Sequence, residues 1–165
     1  MAPVTLSGPL SDVSRDARAY PVHLLREGGT GLCLFAARFY GINDAIHMAR
    51  NDMEGTCVDT AAARLAEMAD LYPRDWWFHN RDAWEFADEA SGYRKQWDAV
   101  SVDTYTGDAT TRSLSDLELW CSLARDVVTC THVTGQPYTV PDGWRDWLFE
   151  RNPRGGINWL VLERE

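Results

Sequence analysis

Short apolar strands alternate with amphipathic helices four times along this chain, and this alternation constrains the fold more than any other feature. The predicted strands are LCLFA, GTCVD, DWWFHN and WDAVSVD, and each precedes a segment with apolar residues at helical spacing. Strands joined by short helical crossovers run parallel, with helices on both faces of the sheet. Their β-branched and aromatic residues fit burial on both sides. The sequence therefore predicts a doubly wound α/β domain.

The bounds of the other predicted elements follow from apolar spacing and from turn residues. Helices are predicted over Asn43–Asn51, over AAARLAEMADLYP up to Pro73, over Ala83–Arg94 and over SLSDLELWCSLARD, with Ser113 or Ser115 as the N-cap. A fifth strand is predicted at VVTCTHV. The closing PDGWRDWLFERNPRGGINWLVLERE predicts a helix or irregular segment, then a turn and a last strand.

The sequence predicts a short N-terminal arm followed by one domain. Residues 1–11 are rich in proline, glycine and serine, so we expect a flexible arm. Residues 12–165 form a single predicted domain, because 165 residues are enough to bury one proper core. The domain begins with SDVSRDARAYPVHLLREGG, which predicts a helix that ends at Gly28-Gly29 and that Pro21 could kink.

Charge and cysteine usage exclude several classes of protein. A net charge of -9 argues against a broad electrostatic grip on nucleic acid or on an anionic membrane. No segment approaches the ~20 apolar residues that span a bilayer. Cys33, Cys57, Cys121 and Cys130 form no CxxC pair and have no metal-ligand spacing. We therefore expect buried thiols in a cytoplasmic protein, with no metal site and no membrane or bulk nucleic-acid partner.

The first strand–turn–helix, GLCLFAARFYGINDAIHMARND, stands where open α/β sheets bind nucleotides. Glycine normally fills such a turn, because it lets the backbone approach a ligand with no side chain between them. This turn instead carries Ala37, Arg38, Phe39 and Tyr40, with a single glycine at Gly41. Either the turn swings outward and leaves room for a ligand, or these side chains fill the site.

The order of these motifs resembles class I S-adenosylmethionine-dependent methyltransferases, from about Gly31 to Glu165. CLFAARFYGIND is similar to the first cofactor motif, with a degenerate turn and without the usual strand-1 acid. GTCVDTAAARLAEMA, WFHNRDAWEFA and WDAVSVDTYTGD resemble the next three strand ends, and RNPRGGINWLVLERE resembles the closing hairpin. The resemblance implies a mostly parallel Rossmann-like sheet of the methyltransferase type, with an antiparallel strand near the C-terminus.

The resemblance also implies a site for S-adenosylmethionine at the carboxyl edge of the sheet. Asp59 would accept hydrogen bonds from both ribose hydroxyls, or it would cap the helix that follows. Asp82 would contact the adenine amino group while Ala83 leaves room for the ring, or Asp82 would be another helix N-cap. The implied contacts of the first turn with the methionine part are Ala36, Ala37 and Gly41.

Asp103 and Tyr105 follow the fourth strand, where methyl donor and acceptor meet in the family. Asp103 would orient the attacking atom or act as a base, and Tyr105 would face the acceptor. The alternative is a polar loop that opens toward the next helix. His132 is a further candidate base, because it lies within or just after the fifth strand.

The segment Gly135–Asn152 carries Tyr138, Trp144, Trp147 and Phe149. It could form the rim of a substrate site, or cover one end of the sheet. It could also bind a protein partner through Trp144 and Trp147, since tryptophan, tyrosine and arginine often anchor interfaces.

Two functions remain open at this point. The first is a small methyltransferase that moves a methyl group from S-adenosylmethionine to a small-molecule or protein acceptor, and Asp59, Asp82 and Asp103 favour it. The second is a catalytically inactive relative that binds or regulates a protein. The degenerate turn and the missing strand-1 acid favour the second.

Overall fold

The computed structural model describes residues 21–37, 41–72, 75–104, 107–152 and 156–165. The strands are β1 (Thr30–Leu34), β2 (Glu54–Asp59), β3 (Trp77–Asn80), β4 (Trp97–Val102), β5 (Ala124–Val133), β6 (Trp144–Asn152) and β7 (Ile157–Arg164). The helices are α1 (Gly41–Arg50), α2 (Ala62–Leu71), α3 (Ala83–Gly92), α4 (Gly107–Ser115) and α5 (Leu117–Ser122), preceded by a 3-10 turn at Val22–Leu24.

The described strands form one seven-stranded sheet in the order β3-β2-β1-β4-β5-β7-β6. The first five strands are parallel, whereas β7 is antiparallel to both β5 and β6. This arrangement confirms the predicted mostly parallel sheet with an antiparallel strand near the C-terminus. The strand order reverses between β1 and β4, which are hydrogen-bonded neighbours. Open α/β sheets bind ligands at the carboxyl ends of strands beside such a reversal.

Apolar residues cover both faces of the sheet, so the domain has two cores. On the first face, Met48 of α1 and Met68 of α2 pack with Cys33 of β1. On the second face, Trp84 of α3 and Trp120 of α5 belong to the other cluster. Strand residues alternate between the faces, since side chains in a strand have a period of two. Burial on both faces is the arrangement that parallel sheets require.

The helical segment between β4 and β5 differs from its prediction. The single helix predicted from Ser113 is wrong, because α4 begins at Gly107, α5 ends at Ser122, and Ala124 already belongs to β5. Ser113 lies buried inside α4 and is therefore not an N-cap. The inward face of α4 carries Thr110 and Ser113 beside Leu114. These small polar residues hide the helical period of the segment.

Two terminal segments also differ from expectation. The predicted helix or irregular segment after Pro141 is wrong, because Trp144–Asn152 is a nine-residue strand paired with β7. The predicted helix up to Gly28-Gly29 is a 3-10 turn within the described residues, followed by turn residues that lead into β1. Residues 1–20, and with them the predicted arm at 1–11, lie outside the described part of the chain.

The connection from β5 to β6 contains no helix, although all of its residues, 134–143, are described. Each of the four earlier strand-to-strand connections contains at least one helix. Tyr138 and Val140 of this segment pack against the second core. Between the segment and α4–α5 lies a groove of about 500 Å³, lined by residues including Leu114, Leu117 and Glu118.

Among the described helices, none has the length and apolarity needed to cross a membrane. All four cysteines are buried thiols, as the sequence predicts.

Candidate functional site

The carboxyl edge of the sheet brings together the ends of β1, β2 and β4. The Ala36 amide donates to the Val58 carbonyl at 3.2 Å, so the chain follows β2 beyond the end of β1. The Asp103 amide donates to the Leu34 carbonyl at 3.3 Å, which fixes the end of β4 beside β1. These bonds hold Asp59 and Asp103 at one edge, on opposite sides of β1.

Asp59 is the last residue of β2 and is only 2% exposed. Its Oδ2 accepts the Ala37 amide at 3.1 Å, and its Oδ1 accepts the Ala61 amide at 2.8 Å. The carboxylate therefore joins the turn after β1 to the turn that leads into α2. A carboxylate oxygen can accept more than one hydrogen bond, so this position also fits the hydroxyls of a ribose.

The turn after β1 has an unusual backbone conformation at Phe35, whose φ is 61°. Non-glycine residues rarely adopt this left-handed region, and the cost is roughly 1–3 kcal/mol. The Phe35 ring packs edge-on against Trp84, with the ring centroids 5.3 Å apart. Ala36 and Ala37 are buried, and Gly41 begins α1. The backbone therefore adopts a glycine-like conformation at Phe35, a residue that is not glycine. Residues 38–40 of the turn lie outside the described part.

Asp103 lies just past the end of β4 and is buried. Its Oδ1 accepts the Thr131 hydroxyl of β5 at 2.7 Å. The next residue, Thr104, forms a hydroxyl–hydroxyl hydrogen bond with Thr110 of α4 at 2.8 Å. The loop after β4 thus begins with polar groups held by neighbouring elements. Tyr105, the second predicted catalytic residue, lies outside the described residues.

A further buried carboxylate, which the sequence analysis did not identify, lies over β4 two residues before Asp103. Asp44, in the first turn of α1, is fully buried, and its Oδ2 accepts the Ser101 hydroxyl of β4 at 2.5 Å. Two signals in the sequence could have revealed the pair. Asp44 precedes the apolar stripe of α1, and Ser101 is a polar residue between two valines, Val100 and Val102, of the fourth predicted strand. A buried carboxylate thus lies at the start of α1, just after the loop that follows β1, although β1 itself carries no acidic residue.

Asp82 forms a helix cap, which is one of the two roles expected for it. It is the N-cap of α3, and its side chain accepts the Glu85 amide at 3.0 Å. The residue is exposed, whereas Ala83 beside it is buried. Arg81 donates to Glu85 at 3.2 Å and to Glu89 at 2.7 Å on the same surface.

His132 anchors the segment after β5, and its surroundings do not suit a general base. The ring is buried, with Nε2 2.9 Å from the Gln136 carbonyl oxygen and Nδ1 3.2 Å from the Asn158 amide nitrogen. These partners fit a neutral ring that donates from Nε2 and accepts at Nδ1. Gln136 in turn donates to the Thr111 hydroxyl of α4 at 3.0 Å.

The tryptophans of the segment Gly135–Asn152 pack against the sheet and are not fully exposed to solvent. Trp144 is only 7% exposed, and the Arg164 guanidinium lies 4.4 Å from its ring centroid. Trp147 is half-buried, and its Nε1 donates to Glu163 at 2.7 Å. Trp144 therefore belongs to the core, which agrees with the alternative in which this segment covers one end of the sheet. Trp77 and Tyr93 are the exposed large aromatics among the described residues.

Comparisons with known proteins identify the fold. No family model and no curated protein matches the chain. The putative methyltransferase yhhF from Escherichia coli matches with a TM-score of 0.62 and 16% identity, over 84% of this chain and 78% of that chain. The putative methylase HI0767 from Haemophilus influenzae matches with a TM-score of 0.58 and 12% identity, over 84% and 88% respectively.

A SAM-dependent methyltransferase from Agrobacterium tumefaciens matches with a TM-score of 0.56 and 12% identity, over 94% of this chain and 60% of that chain. Some matched proteins are much longer, since the chain spans about half of two others, at 46% and 48% of their length. The protein therefore has the fold of class I S-adenosylmethionine-dependent methyltransferases.

Proposed function

We propose that the protein is a small S-adenosylmethionine-dependent methyltransferase that acts on a small-molecule or protein acceptor. One observation carries this proposal: Asp59 and Asp103 lie buried at the carboxyl edge, on opposite sides of β1 at the reversal of strand order. The fold adds support, because the matched structures include proteins described as methyltransferases and one described as complexed with SAH.

The nucleoside part of the donor would lie along the ends of β2 and β3. Asp59 would accept the ribose hydroxyls, and Asp82 would accept the adenine amino group beside the small side chain of Ala83. Asp82 is exposed, so its cap bond to Glu85 leaves it at the surface where a base can approach. Backbone donors fix Asp59 before a ligand arrives, and such preorganisation lowers the cost of binding.

The methionine part would lie against the first turn, with contacts from Ala36, Ala37 and Gly41. Asp103 and Tyr105 would face the acceptor at the end of β4. The bound donor supplies an electrophilic methyl group, so the protein's main task is to align the acceptor with it. The Thr131 hydroxyl would hold the Asp103 carboxylate in one orientation toward the acceptor.

A second candidate is an inactive methyltransferase-fold protein that binds or regulates another protein. The contacts of Asp59 favour this alternative, because both of its oxygens already accept backbone amides and the side chain is nearly inaccessible. In that case the carboxylate serves to hold two turns together. The half-buried Trp147 of β6 would then be one aromatic residue through which a partner could bind.

Calorimetric titration with S-adenosylmethionine and S-adenosylhomocysteine tests the proposal. We expect micromolar binding that Asp59→Ala abolishes and that Asp88→Ala leaves unchanged. Asp88 is the matched control because it is an exposed aspartate on α3, away from the carboxyl edge. Circular dichroism of each variant verifies that the fold is intact. If Asp59→Ala unfolds, Asp59→Asn replaces it, since the amide keeps the shape and one acceptor.

The presence or absence of ligand binding, measured as heat and as a shift in melting temperature, decides between the two candidate functions. No heat and no shift in melting temperature at millimolar ligand would exclude the methyltransferase and favour the protein-binding alternative. Ligand at 100 times its dissociation constant stabilises a protein by about 2.7 kcal/mol, so a real site would be visible by melting as well as by heat.

A further inference from the structure

The connection from β5 to β6 leaves a groove on the second face of the sheet. Because β7 is antiparallel to both β5 and β6, these two strands run parallel, and their connection must cross the face from one edge of the sheet to the other. Parallel strands are usually joined through a helix, in a crossover of a dozen or more residues. Residues 134–143 make this crossing without a helix. They therefore leave free part of the width that a helix of about 10–12 Å would fill.

Segment 136–141 has the side-chain pattern of a strand but no strand beside it. Tyr138 and Val140 are half-buried and pack against the second core, whereas Pro137 and Thr139 are exposed. This alternation is typical of an extended chain with one face on a core. Among the described residues, none forms a backbone hydrogen bond with residues 138–140. Their amide and carbonyl groups are therefore open to an incoming chain.

Side-chain contacts hold this segment in position. Gln136 donates to the Thr111 hydroxyl of α4 at 3.0 Å, and the Tyr138 hydroxyl donates to Asp146 of β6 at 2.6 Å. The Tyr138 ring also packs edge-on against His132, with the ring centroids 5.5 Å apart. The segment is thus ordered before a ligand arrives, which lowers the cost of binding.

The groove of about 500 Å³ lies between this segment and the helices α4 and α5. Leu114 and Leu117 line it from the helices, and Tyr138 and Val140 line it from the segment. Its volume is in the range of ligand sites, roughly 300–1,000 Å³. Apolar walls beside an open backbone suit a second extended chain, because alternate side chains of that chain would enter the groove.

Acidic side chains stand on both sides of the groove. Glu118 of α5 and Asp142 are exposed, and neither forms an ion pair with a described residue. Both also line an adjoining depression of about 310 Å³, together with Arg164. The Arg164 guanidinium is already engaged, since it donates to the Ala124 and Arg125 carbonyls. The charge of the groove therefore favours a positively charged occupant.

We propose that this groove binds an extended segment of a partner protein in which apolar residues alternate with lysine or arginine. The backbone of the partner pairs with residues 138–140, and its apolar side chains contact Leu114 and Leu117. Its cations reach Glu118 and Asp142. In strand addition of this kind, main-chain hydrogen bonds give affinity and alternate side chains give specificity. None of the residues that line the groove belongs to the proposed S-adenosylmethionine site, so the two proposals fail or succeed independently.

Fluorescence anisotropy with a short labelled peptide of alternating valine and lysine tests the proposal on the full chain at physiological ionic strength. We expect saturable binding of this peptide and none of the matching valine–glutamate peptide. Glu118→Lys and Asp142→Lys should each weaken binding at least about tenfold, because like charges then face each other across the interface. Glu67→Lys is the matched control, since Glu67 is exposed on α2, which packs on the opposite face of the sheet.

Hydrogen exchange locates the bound peptide. Binding should slow the exchange of the Tyr138, Thr139 and Val140 amides, because they become donors to the peptide backbone. Absence of saturable binding overturns the proposal, and so does protection that appears only elsewhere. An equal loss of affinity in Glu67→Lys overturns it as well, because the peptide would then be attracted by the negative charge of the whole chain.

Two further results would assign the groove to a different occupant and would also overturn the proposal. If the amides of residues 138–140 exchange as slowly as those of β5 before any peptide is added, another part of this chain fills the groove. If the chain sediments as a dimer that Glu118→Lys dissociates, the occupant is a second copy of this chain.

Discussion

Buried carboxylates in this protein accept hydrogen bonds from backbone amides and hydroxyls, and these bonds fix their positions. Asp59 accepts two amides, Asp44 accepts the Ser101 hydroxyl, and Asp103 accepts the Thr131 hydroxyl. A buried charge without such partners would cost several kcal/mol. The same bonds therefore stabilise the fold and, in the proposed function, hold the oxygens of Asp59 and Asp103 in place for donor and acceptor.

Asp98 provides a comparison at the opposite edge of the sheet. It lies near the start of β4, where its Oδ2 accepts the Thr30 amide at 2.9 Å and its Oδ1 accepts Arg125 at 3.3 Å. Burial acts to raise the pKa of Asp98, but the Thr30 amide and the Arg125 guanidinium outweigh it and lower that pKa below its usual value. This carboxylate is remote from the candidate site, so it reports on stability alone.

We predict that Asp98→Asn lowers the free energy of unfolding at neutral pH by about 1–3 kcal/mol, because a charged hydrogen-bond acceptor is lost. The folded-state pKa is depressed, so the stabilisation exists above the unfolded pKa and is lost as the pH falls through the folded pKa. The difference between wild type and variant should therefore shrink in acid. Urea denaturation from about pH 7 down to about pH 3 measures it. A difference that stays constant over this range would show that the pKa is not depressed.

The individual elements show why some of the fold follows from sequence and some does not. Parallel strands such as β2 and β4 carry β-branched and apolar residues and are followed by polar turns, so their positions could be predicted. The edge strand β6 reads WRDWLFERN, and its mixture of aromatic and charged residues does not separate a strand from a helix. Its conformation depends on pairing with β7, which is a tertiary interaction.

The residues of the candidate site also fall into those that the sequence predicts and those that it does not. Asp59 and Asp103 could be predicted, because each follows an apolar strand and parallel strands end at one edge. The pairing of Asp44 with Ser101 could not, since it depends on how α1 lies over β4.

Strand β6 also offers a test of whether its first tryptophan is a core residue or a surface anchor. Trp144 is buried under Arg164, whereas Trp77 on the edge strand β3 is 67% exposed. We predict that Trp144→Ala lowers the free energy of unfolding by about 3–5 kcal/mol, because it removes a large buried ring. Trp77→Ala should change it by less than about 0.5 kcal/mol. Chemical denaturation of both variants measures the difference, and equal effects would contradict the burial of Trp144.

At the scale of the whole molecule, the acidic charge bears on which acceptors are compatible with the proposed methyl transfer. The net charge is -9, with 25 acidic and 16 basic residues. Several of the basic residues are already engaged with neighbours: Arg81 with Glu85 and Glu89, Arg125 with Asp98, and Arg164 with Trp144 and backbone carbonyls. A polyanion approaching the carboxyl edge would also meet Asp82 and Asp108, which are both exposed.

We therefore predict no measurable binding to a short labelled RNA or to a DNA duplex at low salt, where electrostatic attraction is strongest. Fluorescence anisotropy measures the binding, and a basic nucleic-acid-binding protein serves as the positive control. Saturable binding that weakens steeply with added salt would reveal a local basic surface and would make nucleic acid a candidate acceptor. Salt-independent failure to bind, together with calorimetric binding of S-adenosylmethionine, would restrict the search to small molecules and proteins. The charge of the whole chain would then narrow the acceptor class, which the fold alone leaves open.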